Sequence, residues 1–473
     1  MKGFSRWTLL ALMAQFTLVP FAHAAGKAQV VDIKAEPGGF DLPVWQRQVL
    51  KNGVVLLLME QHEVPLVQMQ LTVKAGAAAD PSGKEGLASL TSQALTAGTT
   101  TRNAQQLAVD IDFVGGQLSA DVGMDSTSVS ANFLSKDVDR QLELLSDVVL
   151  RPAFATEEID RLREQKLAEL SAAPEDARAY AFDLFEATVF RGTPYGHPTT
   201  GFIRTVKGLT TEDVKGFYQT WYTPPNTILA VVGDFKSADM VKKIDKALGK
   251  WSGKAPPAVP SSKPEQVKGR QVVLVDYPGL TQSQIRIGGV GIARGNPDIY
   301  AIQVANVALG GGFTSRLVEE VRVNRSLSYS ASSSFSIRRD PGSYTVMTFT
   351  KNETLRTTID VVFDVLKQFR EVPMPPEELR KATNYLLGQF PLNIETPEGL
   401  ARMLSTLEQY GLPLDYVETF ASRVKALTPD QVTAAIRQYF LYEDVYIVLF
   451  TDISQTRGQL EGLGQIEVRT PLD

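Results

Sequence analysis

Two periodicities alternate along this chain. Residues 126–133 (STSVSANF) set apolar against polar side chains at every second position, which predicts a half-buried strand. Apolar runs at 53–58 and 67–73 read as a strand pair. Residues 138–150 and 156–170 carry helical spacing and are joined by Arg-Pro-Ala-Phe. The same order returns later, with a strand at 343–350, a helix at 355–369, and a second helix at 377–388 behind Pro375-Pro376. Strands followed by helical pairs predict an α+β protein with largely antiparallel sheets covered by helices.

The recurrence extends to single residues. VKGLTTEDVKGFYQTWYTPPNTILAVVGD (206–234) aligns without gaps with VKALTPDQVTAAIRQYFLYEDVYIVLFTD (424–452). Val206, Lys207, Leu209, Thr210, Val214 and Asp234 recur as the same residue types, and Trp221-Tyr222 recurs as Tyr439-Phe440. Each copy starts with a threonine N-cap (Thr210, Thr428), runs through an amphipathic helix, and ends in an apolar strand before an aspartate. GKAPPAVPSSKPEQ (253–266), rich in Pro, Ser, Ala and Lys, is expected to be an extended linker that does not pack. It divides the chain into two homologous domains, 43–252 and 268–473, with 253–267 between them.

Lys2 and Arg6 precede an apolar stretch at 7–19, and Ala22-His23-Ala24 forms a small-x-small cleavage pattern. Residues 1–24 thus read as a secretory signal peptide, which places the mature chain in the periplasm. Losing Lys2 and Arg6 takes the formal net charge from −5 to −7. No later stretch is apolar for the roughly 18 residues a membrane span needs, so no membrane contact is expected after cleavage. No Lys/Arg block suggests a nucleic-acid partner. The chain has no cysteine, which excludes disulfides and thiolate chemistry, and only His62 and His197 follow the signal segment. His62 stands before Val64-Pro65 in what reads as a hairpin connection, and His197 lies in a Tyr-Gly-His-Pro turn. Both are read as structural or solvated.

With the repeat in place, the chain resembles the insulinase/pitrilysin family of zinc peptidases. The resemblance is carried by LKNGVVLLL (50–58), GLASLTSQALTAGTT (86–100), FVGGQLSADVGMDST (113–127), RGTPYGHPTTG (191–201), YQTWYTPPNTILAVVGD (218–234) and LGGGFTSRLVEEVRVNRSLSYSASSSF (309–335). It implies two homologous repeats, each a mainly antiparallel sheet covered by helices, together forming half of a clamshell. In active members the helix at 86–99 carries an inverted zinc motif, H-x-x-E-H. Its two histidines share one helical face and hold the metal, and its glutamate activates the bound water. Here Ser89, Ser92 and Gln93 stand at those positions. A hydroxyl and a carboxamide are poor zinc ligands beside imidazole, and nothing present replaces the base. Glu169 falls near the place of the family's distal glutamate ligand and is read as an exposed helix residue. The resemblance therefore implies no metal and no proteolysis by this chain alone.

The second half keeps another family element. The resemblance maps Arg322 and Tyr329, seven residues apart, onto an Arg/Tyr pair that family enzymes direct toward the zinc site from their C-terminal half. A guanidinium or a phenol can bind a peptide carbonyl or stabilise oxyanion charge. Gly310, Gly311 and Gly312 form a flexible run that would let a substrate backbone approach or act as a hinge; a plain helix-entry turn is the other reading. The implied role is the non-metal subunit of a heterodimer, with zinc in a homologous partner chain and an unfolded peptide as substrate. The alternative is a catalytically inert peptide-binding or scaffold protein of the same fold.

Overall fold

The computed structural model describes residues 28–472, so the signal-peptide segment and His23 lie outside the described residues. The first sheet has seven strands: β1 (Gln29–Val31), β2 (Trp45–Val49), β3 (Val55–Glu60), β4 (Leu66–Val73), β5 (Gln117–Val122), β6 (Thr127–Leu134) and β7 (Thr227–Gly233). Their order is β1-β2-β3-β7-β4-β6-β5. The predicted pairing of the runs at 53–58 and 67–73 is corrected by this order. β7 lies between them, parallel to β3 and antiparallel to β4, so 61–65 is not a hairpin connection. Every residue of β7 is buried, and such a strand is most stable at the sheet's centre, where both faces are covered.

The second sheet has six strands: β8 (Arg270–Asp276), β9 (Gln282–Val290), β10 (Ala331–Phe335), β11 (Ser343–Lys351), β12 (Val445–Thr451) and β13 (Gln465–Arg469). Their order is β10-β11-β9-β12-β8-β13, which repeats β5-β6-β4-β7-β3 and adds β13 at the position of β2. Whereas β2 runs antiparallel to β3, β13 runs parallel to β8. Both sheets are thus mixed. The repeated helix caps form as expected: Thr210 closes a capping box with Asp213, and Thr428 closes one with Gln431.

Each half also lends a helix to the other. Leu56, Leu58, Val67, Met69 and Leu71 face helices of their own half. The opposite face, with Val55, Leu57, Ile228, Ala230 and Val232, joins the core that holds Leu400, Ala401 and Leu404 of the helix Pro397–Tyr410. Reciprocally, Tyr180, Ala181, Leu184 and Phe185 of the helix Ala177–Val189 cover Val273, Val275, Val448 and Phe450 of the second sheet. Each lent helix carries a glutamate bound to an arginine of the other half. Glu408 takes a bidentate hydrogen bond from Arg47 at 2.7 and 2.8 Å, and Glu186 pairs with Arg338.

The Pro-rich segment forms no helix or strand, but it does pack, contrary to the expectation from its composition. Ser262 is buried, its Oγ donates to Thr193 Oγ1 at 2.9 Å, and its N–H donates to Asp340 at 2.8 Å. Arg339 donates to the carbonyl of Pro260 at 2.9 Å. Asp125 accepts from Tyr195, Tyr410 and the N–H of Arg339, drawing both halves onto the same side chain. Prolines fix an extended path here, and side chains of both halves supply its hydrogen bonds.

Candidate functional site

The helix at the zinc-motif position runs Leu87–Leu95 and is shorter than the family pattern suggested. Gly86 precedes it with φ 98°, and Gly201 approaches with φ 81°. A Cβ on Gly201 would stand 2.2 Å from the carbonyl oxygen of Glu85, so only glycine fits this contact between 86–100 and 191–201. Asp80 accepts from the N–H groups of Gly86 (2.8 Å) and Ala88 (2.7 Å), satisfying donors at the helix start. Beyond the helix, Thr99 Oγ1 donates to the buried carboxylate of Asp147 at 2.7 Å.

Ser89 is half-buried, Ser92 is fully buried, and Gln93 is half-buried. Ser92 Oγ and Thr91 Oγ1 have no hydrogen-bond partner among the described residues. Lys166, 1 % exposed on the helix Thr156–Ala172, donates from Nζ to Ser89 Oγ at 2.8 Å. Burial lowers the pKa of this ammonium, while the carboxylates of Glu169 and Asp80 raise it. Glu169 is exposed and accepts from Gln165 at 2.9 Å. The residues present do not fit zinc. The motif positions offer two hydroxyls and a carboxamide, and one hydroxyl already accepts from an ammonium, which would repel a second cation. Among the described residues no group of three His, Asp or Glu could hold a metal ion.

Sequence reasoning passed over Lys166. The signal is present, since Lys166 continues the stripe Ile159–Leu162 that faces the core, four residues after Leu162. A lysine on an apolar stripe has to find a partner inside, and here that partner is the serine standing at the first ligand position.

Arg322 and Tyr329 do not share a helical face. Arg322 lies in the helical segment Val318–Asn324, and Tyr329 lies beyond it, just before β10. Ser326, with φ 51°, turns the chain between them. The backbone from 327 to 330 is pinned to β11: Thr350 Oγ1 donates to the carbonyl of Leu327 and Thr348 Oγ1 to that of Ser330, both at 2.8 Å. This platform leaves Tyr329 83 % exposed. The Arg322 guanidinium lies over the ring of Phe313, itself 72 % exposed, at 5.0 Å from its centroid. Arg316 anchors the start of the segment through a bidentate pair with Glu378 at 2.7 and 2.6 Å.

The three glycines differ. Gly310 is buried, and a Cβ there would meet the backbone N of Ser333 at 2.4 Å, so its close approach is to the chain's own strand β10. Gly312 is buried as well, and only Gly311 is exposed. Gly310→Ala is expected to destabilise the chain by about 1–3 kcal/mol, as overpacking generally does. Chemical denaturation compared with Gly311→Ala, which should cost less, checks this.

The two described histidines titrate in opposite directions. His62 Nδ1 meets Asp234 Oδ1 at 2.7 Å and Nε2 lies 3.5 Å from Glu60; the bond to Asp234 raises its pKa above the ordinary 6.5. His197 is buried with Nδ1 2.9 Å from the carbonyl of Pro198, and burial lowers its pKa. His62's contribution to stability is therefore complete below the unfolded-state pKa and lost as pH rises through its raised folded value. His197's is complete above the unfolded-state pKa and lost as pH falls through its lowered folded value. NMR titration of the imidazole signals should place one midpoint on each side of 6.5.

The fold and this site define a two-domain, peptidase-like protein whose metal motif has been replaced. Residues 55–201 match the family description "Insulinase (Peptidase family M16)", and 208–386 match "Peptidase M16 inactive domain". The chain belongs to the insulinase family as a member without the zinc motif. It is 26 % identical to an uncharacterized zinc protease of Streptomyces coelicolor over 88 % of this chain and 91 % of that one. An uncharacterized zinc protease of Bacillus subtilis is 22 % identical over 86 % and 98 %. Among solved structures, a peptidase M16 inactive domain from Pseudomonas fluorescens superposes with a TM-score of 0.80 at 25 % identity, covering 86 % of this chain and 98 % of that one. A protease from Helicobacter pylori superposes at 0.79 and 20 % identity, covering 86 % and 100 %, a likeness of fold.

Proposed function

We propose that this chain is the non-metal subunit of a heterodimeric periplasmic zinc peptidase. A homologous partner chain carries the zinc and the H-x-x-E-H helix, and this chain contributes Arg322 and Tyr329 to the binding of an unfolded peptide and to stabilisation of the tetrahedral intermediate. The observation that carries this reading is the contrast between the two halves. The motif helix has no zinc ligands and packs a lysine against Ser89, whereas Tyr329 is held on a pinned platform with its ring in solvent. An exposed tyrosine on a fixed backbone loses little conformational entropy on engaging a ligand. Arg322 supplies a fork of N–H donors for a carbonyl or an oxyanion. Peptide substrate would be held partly by strand addition at a free sheet edge.

Metal analysis of purified samples tests the assignment of zinc. The isolated chain is expected to hold none after dialysis, and its complex with a zinc-bearing homologue about one zinc per pair. Stoichiometric zinc in the isolated chain would overturn the reading.

A further inference from the structure

The zinc-motif remnant has the makings of a binding site in its own right. Lys166 is buried, its one side-chain hydrogen bond among the described residues goes to Ser89, and it forms no ion pair there. Its positive charge is therefore only distantly compensated, by Glu169 and Asp80. Because Ser89 Oγ accepts from Lys166, its own hydrogen must point elsewhere, and the contact polarises that O–H into a stronger donor. No acceptor for it is present among the described residues, and Ser89 is half-buried rather than enclosed. Gln93 lies one turn further on the same helical face, half-buried, and its carboxamide makes no hydrogen bond among the described residues. The remnant thus holds two half-buried polar side chains over a buried cation.

The helix Leu87–Leu95 packs against β5, which pairs only with β6 and forms the outer edge of the first sheet. An extended peptide can add to such an edge through main-chain hydrogen bonds. The geometry points to Ser89, Gln93 and the underlying Lys166 as a docking point for the C-terminal carboxylate of a peptide laid along β5. Two donors, the Ser89 hydroxyl and the Gln93 amide, suit the two carboxylate oxygens, and a buried ammonium favours an anion over a neutral amide. The chain as a whole repels anions, with a formal net charge of −5 over the full sequence, so a preference for a carboxylate has to arise locally. This inference rests on the peptide-handling reading above and deepens it by naming the end of the peptide that this subunit holds.

The test uses the mature chain without a zinc partner and one short unstructured peptide with an N-terminal fluorescein, made as the free acid and as the C-terminal amide. Fluorescence anisotropy should show the acid binding about tenfold more tightly than the amide. Ser89→Ala and Lys166→Met should each bring the two forms to within about twofold of one another. If Lys166→Met does not fold, Ser89→Ala decides, since it removes a single hydroxyl. Equal binding of acid and amide by the unmodified chain, no binding of either, or a preference that survives Ser89→Ala overturns the inference. None of these outcomes bears on the Arg322 and Tyr329 reading, which is decided by turnover in the two-chain complex.

Discussion

Arg322→Ala, assembled with a zinc-bearing partner chain, is expected to lower kcat for peptide hydrolysis by about 10²–10³-fold, with a smaller change in KM. This is the loss that follows removal of a donor aimed at developing oxyanion charge. Tyr329→Phe removes only the hydroxyl, and a charge-assisted hydrogen bond of that kind corresponds to roughly 10- to 100-fold. Tyr329 is 83 % exposed, and Arg322, half-buried, rests on the exposed ring of Phe313. Neither substitution should therefore move the thermal midpoint, or the fraction assembled in size-exclusion chromatography. A loss of turnover with unchanged melting and assembly separates a catalytic contribution from a structural one. Unchanged turnover in both variants would leave the inert scaffold as the better account.

The largest expected effect on stability lies at the exchange of helices between the halves. Glu408 and Arg47 are bidentate and nearly inaccessible, with side-chain exposures of 9 % and 8 %. The bond to Glu408 raises the pKa of Arg47, and Glu408 also acts on the half-buried Lys74. Glu408→Ala strips Arg47 of its carboxylate and leaves two cations close together in a poorly solvated seam. Breaking a buried pair from one side costs about 3–5 kcal/mol, even where the intact pair itself contributes little. Because the helix Pro397–Tyr410 is held against the first sheet in part by this pair, the loss should appear as a lower urea midpoint for the chain as a whole. Arg47→Met with Glu408→Met should recover most of it, since apolar replacement takes both charges of the pair out of the seam together.

Much of the fold was legible where local chemistry decides it. The threonine caps at 210 and 428, the helices after them and the apolar strands that end each copy follow from side chains within a few residues of one another. The pairing of β3 was not legible, because its partner β7 comes from far along the chain and a shared apolar character does not name a neighbour. The exchange of the helices Ala177–Val189 and Pro397–Tyr410 was hidden for the same reason: an apolar stripe shows that a helix is covered, but not by which sheet. At the site, the absence of histidine from the motif helix could be read directly. The contact between Lys166 and Ser89 could not, because it joins two helices, although the lysine's place on an apolar stripe marked it as unusual. The local setting of Arg322 and Tyr329 was not legible, because the turn at Ser326 separates them and the hydroxyls of Thr348 and Thr350, from a distant strand, pin the backbone beside Tyr329.

The most direct measurement is hydrolysis of a quenched fluorescent peptide as this chain is titrated into a zinc-bearing homologue from the same organism. Complementation predicts negligible turnover from either chain alone and a rate that rises to a plateau at equimolar ratio. A partner that is fully active alone, or cleavage by this chain in the partner's absence, would contradict it.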